Sequence, residues 1–358
     1  MVLAGGFVGA AGAAGHRWKV LWKAGGEGDF VAEIVAAGPK DLWAFSGRYP
    51  DSGFIVPKAR HWDGKKWRVV KLPARAKGGI EFAAAASSKD IWANFNQSVD
   101  SDGYAGILHW DGKTWKVSKR LPRYSSYRAN EILPFGGGKA AGFFGNRLWL
   151  NDGRSWTESR ADRPVISPSG GSARAIWALG EDQGSGGGFP FSAPKVYRFN
   201  GTSWRHVPVP KALLRTDRGP CLKQEPKGEC SGELYPNAIL VSADRVLLTA
   251  TTWGWPTDNW RALVWRGGKW RALTGLRRHS VGDVESDGSG GFWAVTYRGA
   301  RAQVVHVTAK GKVIQYPSPA KGAHFDRISV TPSGTVFAAG YVIDAADNYA
   351  GRVWRLDR

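Results

Sequence analysis

Acidic side chains recur at one position of a repeated sequence pattern, and their spacing suggests that they share a site. Counting ten residues back from seven equivalent Trp or apolar positions gives Glu33, Phe82, Glu131, Ser167, Asn237, Asp283 and Arg327. Oxygen atoms of carboxylates and amides are the ligands that Ca²⁺ prefers. The candidate Ca²⁺ ligands, in a central channel, are therefore Glu33, Glu131, Asn237 and Asp283. Alternatively, the carboxylates pair with Arg327 or stay solvated.

Three tryptophans outside the repeat form a second candidate site. Trp253, Trp255 and Trp260 fall within one predicted loop, whereas the other sixteen of the 19 Trp lie on or beside strand positions of the repeat. Exposed indole rings stack on the C–H faces of sugars and also anchor protein partners. A loop folded on its own aromatic side chains is the structural alternative for this cluster.

Aromatic and basic residues of other long loops extend this candidate ligand-binding surface. These further residues are Tyr49, Tyr104, Arg128, Arg277, Arg278 and His324. Arginine side chains at such a rim could bind anionic groups of a ligand. We interpret His324 as part of this basic rim rather than as a general base.

Motifs of the common catalytic classes are missing from the sequence. It contains no G-x-S-x-G, H-E-x-x-H, P-loop or Cys–His pattern. His61 and His109 precede Trp-Asp at the same repeat position, so packing explains them. Five acidic residues of the predicted loops could still supply a glycosidase-like pair, namely Asp51, Asp100, Asp102, Asp182 and Asp258. Because the distance between the two carboxylates decides that chemistry, catalysis stays an open alternative.

The chain carries a large excess of basic residues. Its 50 Lys and Arg against 30 Asp and Glu give a formal net charge of +20 and a pI near 10.1. This charge favours polyanionic partners such as acidic polysaccharides, cell-wall polymers, nucleic acids or acidic membranes. Because the charge is spread along the chain, the sequence predicts no specific nucleic-acid site. A basic surface that only reflects the source's composition is the alternative.

Two short segments bear on where the protein works. Residues 1–15 resemble the apolar and cleavage regions of a secretory signal, although the charged n-region is missing. We expect a signal-peptide remnant or a disordered tail, too short to span a bilayer, before a secreted domain. Cys221 and Cys230 share one insertion, at residues 211–235, and a local disulfide fits an exported protein better than a metal site does.

Two short phrases recur along the whole chain. One contains the central Trp, as in DLWAF, DIWAN, AIWAL and GFWAV, and occurs seven times when weaker copies are counted. The other reads HWDGKKW, HWDGKTW, LNDGRSW, FNGTSW and VWRGGKW, beginning at residues 61, 109, 150, 199 and 264. The spacing is roughly 45 to 50 residues, apart from one short interval after Lys139 and one long interval that contains the cysteine insertion. Such a period is typical of repeat architectures.

Each repeat unit predicts four antiparallel strands. An apolar first strand leads through a short turn to the Trp-containing strand, and a loop of variable length follows. An Asp-Gly or Asn-Gly turn then joins the last two strands. One such sheet cannot bury both of its faces alone, whereas sheets stacked around an axis can. Because insertions gather on the binding face of repeat proteins, the face of the variable loops is the predicted functional face.

The two ends of the chain complement each other. The last unit stops at residues 353–358, where other units turn into their outer strand, and residues 16–23 read as an outer strand without a preceding unit. Joining the two segments completes a seventh unit. The sequence therefore predicts an all-β fold, a seven-bladed β-propeller of four-stranded antiparallel blades. Its single domain spans residues 16–358, and the N-terminal strand closes the ring by completing the last blade.

The chain resembles the Trp-rich, signal-bearing propeller proteins common in actinobacteria and, more distantly, the WD40, kelch and sialidase-type propellers. Trp62-Asp63 and Trp110-Asp111 are similar to the WD dipeptide, but the upstream Gly-His of WD40 repeats is missing. The D-G-x-x-W turns differ from the sialidase Asp-box, which separates its Asp and Gly by one residue. The resemblance therefore implies the fold and carries over no catalytic residue.

Together, these observations favour an exported, non-catalytic binding protein that recognises a glycan or an anionic cell-wall polymer through the loop face. A polysaccharide lyase or glycosidase on the same face is the first alternative, and a scaffold for a secreted protein is the second. Because propellers host binders and enzymes alike, the fold does not decide between them. We expect a monomer without a transmembrane segment.

Overall fold

The computed structural model describes most of the repeat units. The described residues are 17–24, 29–48, 56–76, 78–96, 105–121, 129–144, 147–160, 165–180, 195–214, 235–251, 260–273, 276, 280–298, 301–320, 322–343 and 349–357. Within these ranges, the chain forms 28 β-strands and the 3-10 turn Lys211–Leu214. No helix in the same ranges has the length and apolar character needed to cross a membrane.

The strands form seven antiparallel sheets of four strands each, the blades, whose first strands contact one another around a ring. β1 (Arg17–Lys23) belongs to the last blade. Blade 1 contains β2 (Asp29–Gly38), β3 (Asp41–Arg48), β4 (Val56–Trp62) and β5 (Trp67–Val70). Blade 2 contains β6 (Ala83–Ser87), β7 (Asp90–Asn96), β8 (Ala105–Trp110) and β9 (Trp115–Arg120). Blade 3 contains β10 (Ala129–Gly136), β11 (Lys139–Phe144), β12 (Arg147–Asn151) and β13 (Trp156–Arg160).

The remaining four blades repeat this pattern. Blade 4 contains β14 (Val165–Ser172), β15 (Ala175–Gly180), β16 (Lys195–Phe199) and β17 (Trp204–His206). Blade 5 contains β18 (Tyr235–Ser242), β19 (Arg245–Thr251), β20 (Trp260–Arg266) and β21 (Lys269–Leu273). Blade 6 contains β22 (Ser280–Ser286), β23 (Phe292–Arg298), β24 (Arg301–Val307) and β25 (Val313–Pro317). Blade 7 contains β26 (Ala323–Val330), β27 (Val336–Ile343) and β28 (Tyr349–Asp357), with β1 as its outermost strand.

The seventh blade joins the two ends of the described chain. β1 pairs antiparallel with β28, from Arg17 opposite Asp357 to Lys23 opposite Arg352. The Trp18 ring lies 5.0 Å from the ring of Phe325 within this blade. Its indole Nε1 donates a hydrogen bond of 2.9 Å to the last residue of β25, the carbonyl of Pro317. The predicted seven-bladed fold and the predicted closure of the ring are confirmed.

The core of the protein consists of apolar layers between neighbouring blades. Between blades 1 and 2, the rings of Trp43 and Phe45 lie 5.4 Å and 5.7 Å from the ring of Trp115, edge to face. Between blades 2 and 3, Trp92 meets Trp156 at 5.7 Å in the same geometry. Because burying one Phe-sized side chain contributes roughly 1.5–3 kcal/mol, these layers hold the blades to one another.

Asp-Gly turns join third and fourth strands on one face of the ring. This turn face also carries the turns between first and second strands, and the opposite loop face carries the other connections. Asp63 Oδ1 accepts hydrogen bonds from the backbone N–H groups of Lys65 and Lys66 at 3.0 Å and 2.9 Å. The same two bonds recur in blades 2 to 4, at Asp111, Asp152 and Asn200. At Gly64, φ is +90° and a Cβ would lie 2.7 Å from that of Lys40, so glycine is required.

Three histidines stack on the central Trp of their own blades. In blade 1, the rings of His61 and Trp43 lie 4.5 Å apart, and His61 Nε2 lies 2.8 Å from Asp41 Oδ1. The same arrangement recurs in blades 2 and 6, with the triplets Trp92, His109, Asp90 and Trp293, His306, Asp287. Packing within a blade therefore accounts for His61 and His109. The third copy escaped the sequence comparison because no Trp-Asp-Gly follows His306.

Ring closure through β1 leads to a test of stability. We expect Trp18→Ala to lower the free energy of unfolding by about 2–4 kcal/mol, because it removes a partly buried indole and its hydrogen bond to Pro317. Lys19→Ala changes an exposed side chain of the same strand and should cost less than about 0.5 kcal/mol. Urea unfolding followed by Trp fluorescence measures both. If both variants lose equally little free energy of unfolding, β1 does not stabilise the ring by closing it.

Candidate functional site

The first strands of four blades carry a β-bulge near the loop face. The pairing register shifts immediately before Glu33 in blade 1, Glu131 in blade 3, Asp283 in blade 6 and Arg327 in blade 7. A bulge bends its strand and re-aims the side chains beside it. The four charged side chains interact electrostatically across the ring, which places them around a common axis.

The other three blades depart from this arrangement. In blade 2, Phe82 stands at the equivalent position, where its carbonyl accepts a hydrogen bond from β7. In blade 5, the register shifts between Pro236 and Ala238, so that Asn237 is itself the bulged residue. In blade 4, Ser167 falls inside a bulge and has a φ of 46°. Counting ten residues back from the central position of blade 5 gives Asn237, whereas Ala238 occupies the position equivalent to Glu33.

An ion pair and a hydrogen bond link the charged residues of blades 6, 7 and 1. Arg327 Nε lies 3.4 Å from Glu33 Oε2, between blades 7 and 1. Asp283 Oδ2 accepts a hydrogen bond of 2.8 Å from the backbone N–H of Ile328, between blades 6 and 7. A first strand is paired on one side only, so its other edge has backbone donors that need partners. These acidic side chains therefore connect neighbouring blades.

Burial raises the pKa values of the carboxyls around the axis. The pKa of Glu33 is raised to about 8, chiefly because burial removes water from the carboxylate; Arg327 opposes the shift and Asp283 adds to it. Desolvation is also the main cause of the raised pKa values of Glu131, Asp283 and Glu285. Glu33 is only 8% exposed, whereas the other three retain some contact with solvent. An acidic, desolvated channel of this kind retains protons at neutral pH or favours a cationic group.

The described residues provide no set of metal ligands. Among them, no group of three or more His, Cys, Asp or Glu side chains lies close enough together to hold a metal ion. The predicted ligand Asn237 lies on β18, but its side chain is outside the described part of the chain. The guanidinium of Arg327 is instead the cation beside Glu33. We therefore derive no chemistry through Ca²⁺.

An aromatic group lies at the loop face of blades 6 and 7. The His324 ring stacks on the Tyr341 ring at 4.9 Å, and Tyr341 lies 5.1 Å from Tyr349. Tyr297 of blade 6 lies 6.5 Å from His324 on its other side. Tyr349 is 58% exposed and ends the row toward solvent. We call Tyr297, His324, Tyr341 and Tyr349 the mouth cluster.

Asp326 connects the mouth cluster to the acidic channel. It lies in the bulge of β26, next to Arg327, and burial raises its pKa while Arg327 and His324 oppose that shift. Burial also raises the pKa values of Tyr297 and Tyr341, and the charge of Asp326 is the next cause for both. The two phenols therefore stay protonated at neutral pH, and a carboxylate lies close to them. Because the Tyr297 hydroxyl donates to the Phe325 carbonyl, the mouth combines the Tyr341 hydroxyl as a donor, Asp326 as an acceptor, and aromatic rings.

Most residues predicted to bind ligand lie outside the described part of the chain. They are Tyr49, Tyr104, Arg128, Trp253, Trp255, Arg277 and Arg278, and the predicted disulfide partners Cys221 and Cys230 also lie outside it. Trp260 begins β20, but its side chain is not described. His324 is described, and its neighbours in the structure are Tyr297, Tyr341 and Asp326.

Sequence inspection missed five residues of this region, namely Glu285, Tyr297, Asp326, Tyr341 and Tyr349. Glu285 lies two residues after Asp283, so strand alternation alone could have identified it. Asp326 escaped detection because the bulge changes the direction in which it points. Tyr341 and Tyr349 belong to the last blade, whose phrases are weak copies of the repeat and lack the central Trp.

Comparison with known proteins identifies the fold. No family model and no curated protein matches the chain. The WD40 propeller domain of Doa1 matches with a TM-score of 0.56 and 10% identity, over 95% of this chain and 97% of that one. A streptogramin B lyase matches with a TM-score of 0.60 and 14% identity, over 96% and 98% of the two chains. The GH74 xyloglucanase of Xanthomonas campestris matches with a TM-score of 0.54 and 15% identity, over 90% and 53%.

At these identities the similarity establishes the β-propeller fold and no shared activity. The resemblance to WD40-type propellers that the repeats indicated is thereby confirmed at the level of fold. The matches include a lyase, a xyloglucanase and a WD40 domain, so the ring by itself does not select one function.

The raised pKa of Glu33 predicts a specific pH dependence of stability. The pKa is about 8 in the folded protein against an ordinary value of 4.5, so between these pH values the folded state holds a proton that the unfolded state has lost. The resulting contribution is complete below pH 4.5 and is lost as pH rises through 8. Glu33→Gln has no titratable group at this position. It should therefore reduce the change in the free energy of unfolding between pH 4.5 and 8 by at most about 5 kcal/mol.

Urea unfolding across this pH range measures the effect. Glu81→Gln, in the connection before β6, is the matched control for the loss of one carboxylate. If Glu33→Gln gives a profile parallel to that of the unmodified protein, Glu33 is not the group that binds the proton.

Proposed function

We propose that the protein is an exported, non-catalytic binding protein that recognises a glycan at the mouth cluster. The observation that carries this proposal is the row His324, Tyr341, Tyr349, which ends in an exposed ring beside partly buried polar groups. An exposed aromatic ring in front of fixed donors and acceptors is the usual composition of a site for a polar ligand with an apolar face.

Sugars fit this composition in two ways. The C–H groups on one face of a pyranose pack against an aromatic ring, as Tyr349 offers. Their hydroxyl groups need both donors and acceptors, which the phenol of Tyr341 and the carboxylate of Asp326 supply. Because Tyr341 is held between His324 and Tyr349, its ring is positioned before the ligand arrives. Pre-positioned side chains reduce the entropy lost on binding.

The sequence supports a secreted location and a wider surface on the same face. Residues 1–15 resemble a secretory signal, and a disulfide between Cys221 and Cys230 would suit an oxidising compartment. Trp253 and Trp255 lie between β19 and β20 in the sequence, and we expect them on the loop face. The xyloglucanase among the matches is named for a polysaccharide, which is consistent with a sugar ligand for this fold.

Hydrolysis or elimination at the same face is the second candidate function. The pKa of Glu33, raised to about 8, favours it, because such a carboxyl is protonated at neutral pH and can act as a general acid. Arg327 beside it could stabilise developing negative charge. A second carboxylate would have to act from Glu131, Asp283 or Glu285, whose own pKa values are also raised.

Substitution at the mouth cluster tests the binding proposal. We expect Tyr349→Ala to weaken binding to neutral polysaccharides such as xyloglucan or chitin fragments about tenfold, because stacking on one ring is worth about 1 kcal/mol or more. Thermal unfolding should be unchanged, since the side chain is 58% exposed. Isothermal titration at high salt removes the contribution of the positive surface.

Two further variants make this result specific. Val69→Ala, at a residue that is 70% exposed on β5, is a matched loss of apolar surface far from the mouth and should bind normally. Trp255→Ala tests the predicted aromatic loop. If Trp255→Ala weakens binding and Tyr349→Ala does not, the glycan site lies at the predicted loop of blade 5 instead of the mouth cluster. No binding by the unmodified protein across a polysaccharide panel would contradict the proposal and favour a protein partner.

Product analysis separates binding from catalysis. A bound polysaccharide should be recovered intact after prolonged incubation, as judged by reducing ends and by absorbance of unsaturated products. Chain cleavage that Glu33→Gln abolishes would replace the binding proposal by the enzymatic one.

A further inference from the structure

The turn face of the ring presents positive charge from six consecutive blades. Each of blades 1 to 6 has an exposed basic residue in or beside its short turns, namely Lys40, Lys89, Lys139, Arg174, Lys269 and Lys310. These residues belong to the turns that the structure describes, on the face opposite the mouth cluster. The repeat therefore distributes the charge around the ring instead of concentrating it in one patch.

Packing holds three of these side chains against the turns of their own blades. A Cβ at Gly64 would lie 2.7 Å from Cβ of Lys40, and one at Gly112 would lie 2.8 Å from Cγ of Lys89. In blade 4, the same relation holds between Gly201 and Arg174, whose Cγ would lie 3.0 Å away. The aliphatic stem of each basic residue thus lies across a glycine of the outer turn. The charged ends are consequently positioned at equivalent places in three blades.

The acidic residues of the same turns are occupied by internal contacts. The carboxylates of Asp63, Asp111 and Asp152 accept backbone hydrogen bonds within their turns. Those of Asp41, Asp90 and Asp287 bind the histidines stacked inside the blades. Asp244 is exposed and lies 3.2 Å from Arg266. By contrast, Lys40, Lys89 and Arg174 form no ion pair with any described residue.

The described turn face offers charge without an aromatic platform. The large apolar side chains that are strongly exposed in the described chain are Val20, Val69 and Tyr349, and Tyr349 lies on the loop face. Proteins that bind single-stranded nucleic acids stack bases on exposed aromatic rings. A surface that lacks such rings recognises a polymer through its charged backbone alone.

We propose that the turn face binds a linear polyanion, a flexible polymer with regularly repeated phosphate, sulfate or carboxylate groups and no stacking bases. One such chain can run across several blades and meet a positioned cation on each. This site is independent of the mouth cluster and leaves the loop face free. The positive charge of this face then retains the protein on an anionic polymer and takes no part in glycan recognition.

Neutralisation of four turn-face residues tests the proposal. The variant carries Lys40→Gln, Lys89→Gln, Lys139→Gln and Arg174→Gln, which keep the side-chain stems and remove the charges. We expect its affinity for long-chain polyphosphate and for heparin at low salt to fall at least tenfold. The slope of log K against log salt should decrease in magnitude by up to about 3, since each lost contact changes it by roughly 0.7.

A second variant removes the same charge from the other side of the ring. Lys23, Lys71, Arg75 and Arg120 are exposed near strand ends toward the loop face, and all four are changed to Gln. This control should lose less than about threefold in affinity if position matters more than net charge. Thermal unfolding of both variants confirms that each is folded, and titration of a neutral polysaccharide confirms that the mouth cluster is intact.

The outcomes are distinct. Equal losses in the two variants would overturn the proposal, because bulk charge alone would then account for binding. Tighter binding of oligo-dT than of polyphosphate of equal charge would overturn it in favour of a nucleic-acid partner. Preference for polyphosphate or for heparin identifies phosphate or sulfate as the preferred anionic group. Failure of neutral glycan binding leaves this result unaffected and counts only against the mouth cluster.

Discussion

Mutual covering of sheet faces is the constraint on which the rest of this protein depends. Each blade is a thin four-stranded sheet with apolar side chains on both faces, so it is stable only between two neighbours. Trp43 and Phe45 of blade 1 meet Trp115 of blade 2, and equivalent layers follow around the ring. Because the last blade must also be covered, the ring has to close. The first strands are thereby brought around one axis, where their side chains form the channel.

The same architecture separates two electrostatic environments. Around the axis, bulges direct Glu33, Glu131 and Asp283 into a space poor in water, and burial raises their pKa values. On the turn face, carboxylates accept hydrogen bonds from turn N–H groups, and the pKa values of Asp63 and Asp152 are lowered. A protein with a formal net charge of +20 thus keeps an acidic interior channel. Burial around the axis and backbone hydrogen bonds on the turn face, and not the net charge, set the direction of the pKa shifts in each place.

Much of the fold could be predicted from the sequence, and much less of the candidate site. The repeated Trp phrases and Asp-Gly turns are local signals, and the complementary ends fix the number of blades. Counting ten residues back from the central position of each repeat identified Glu33, Glu131, Asp283 and Arg327, because strand spacing is regular up to the bulge. It failed at Asn237 because a bulge shifts the register by one residue, which no composition rule reports. Tyr341 and Tyr349 form a site only through stacking across β27 and β28.

The pairing of β1 with β28 also determines how this chain can fold. These strands lie at opposite ends of the described sequence, so their contact has nearly the largest sequence separation available. Contacts of this kind form late, because the loop they close costs the most entropy. Until then, Trp18 lacks its partners Phe325 and Pro317. Once β1 has paired with β28, no blade can unfold without losing its contacts with both neighbouring blades. The ring is therefore slow to assemble and slow to open, and its persistence rests on kinetics as much as on equilibrium.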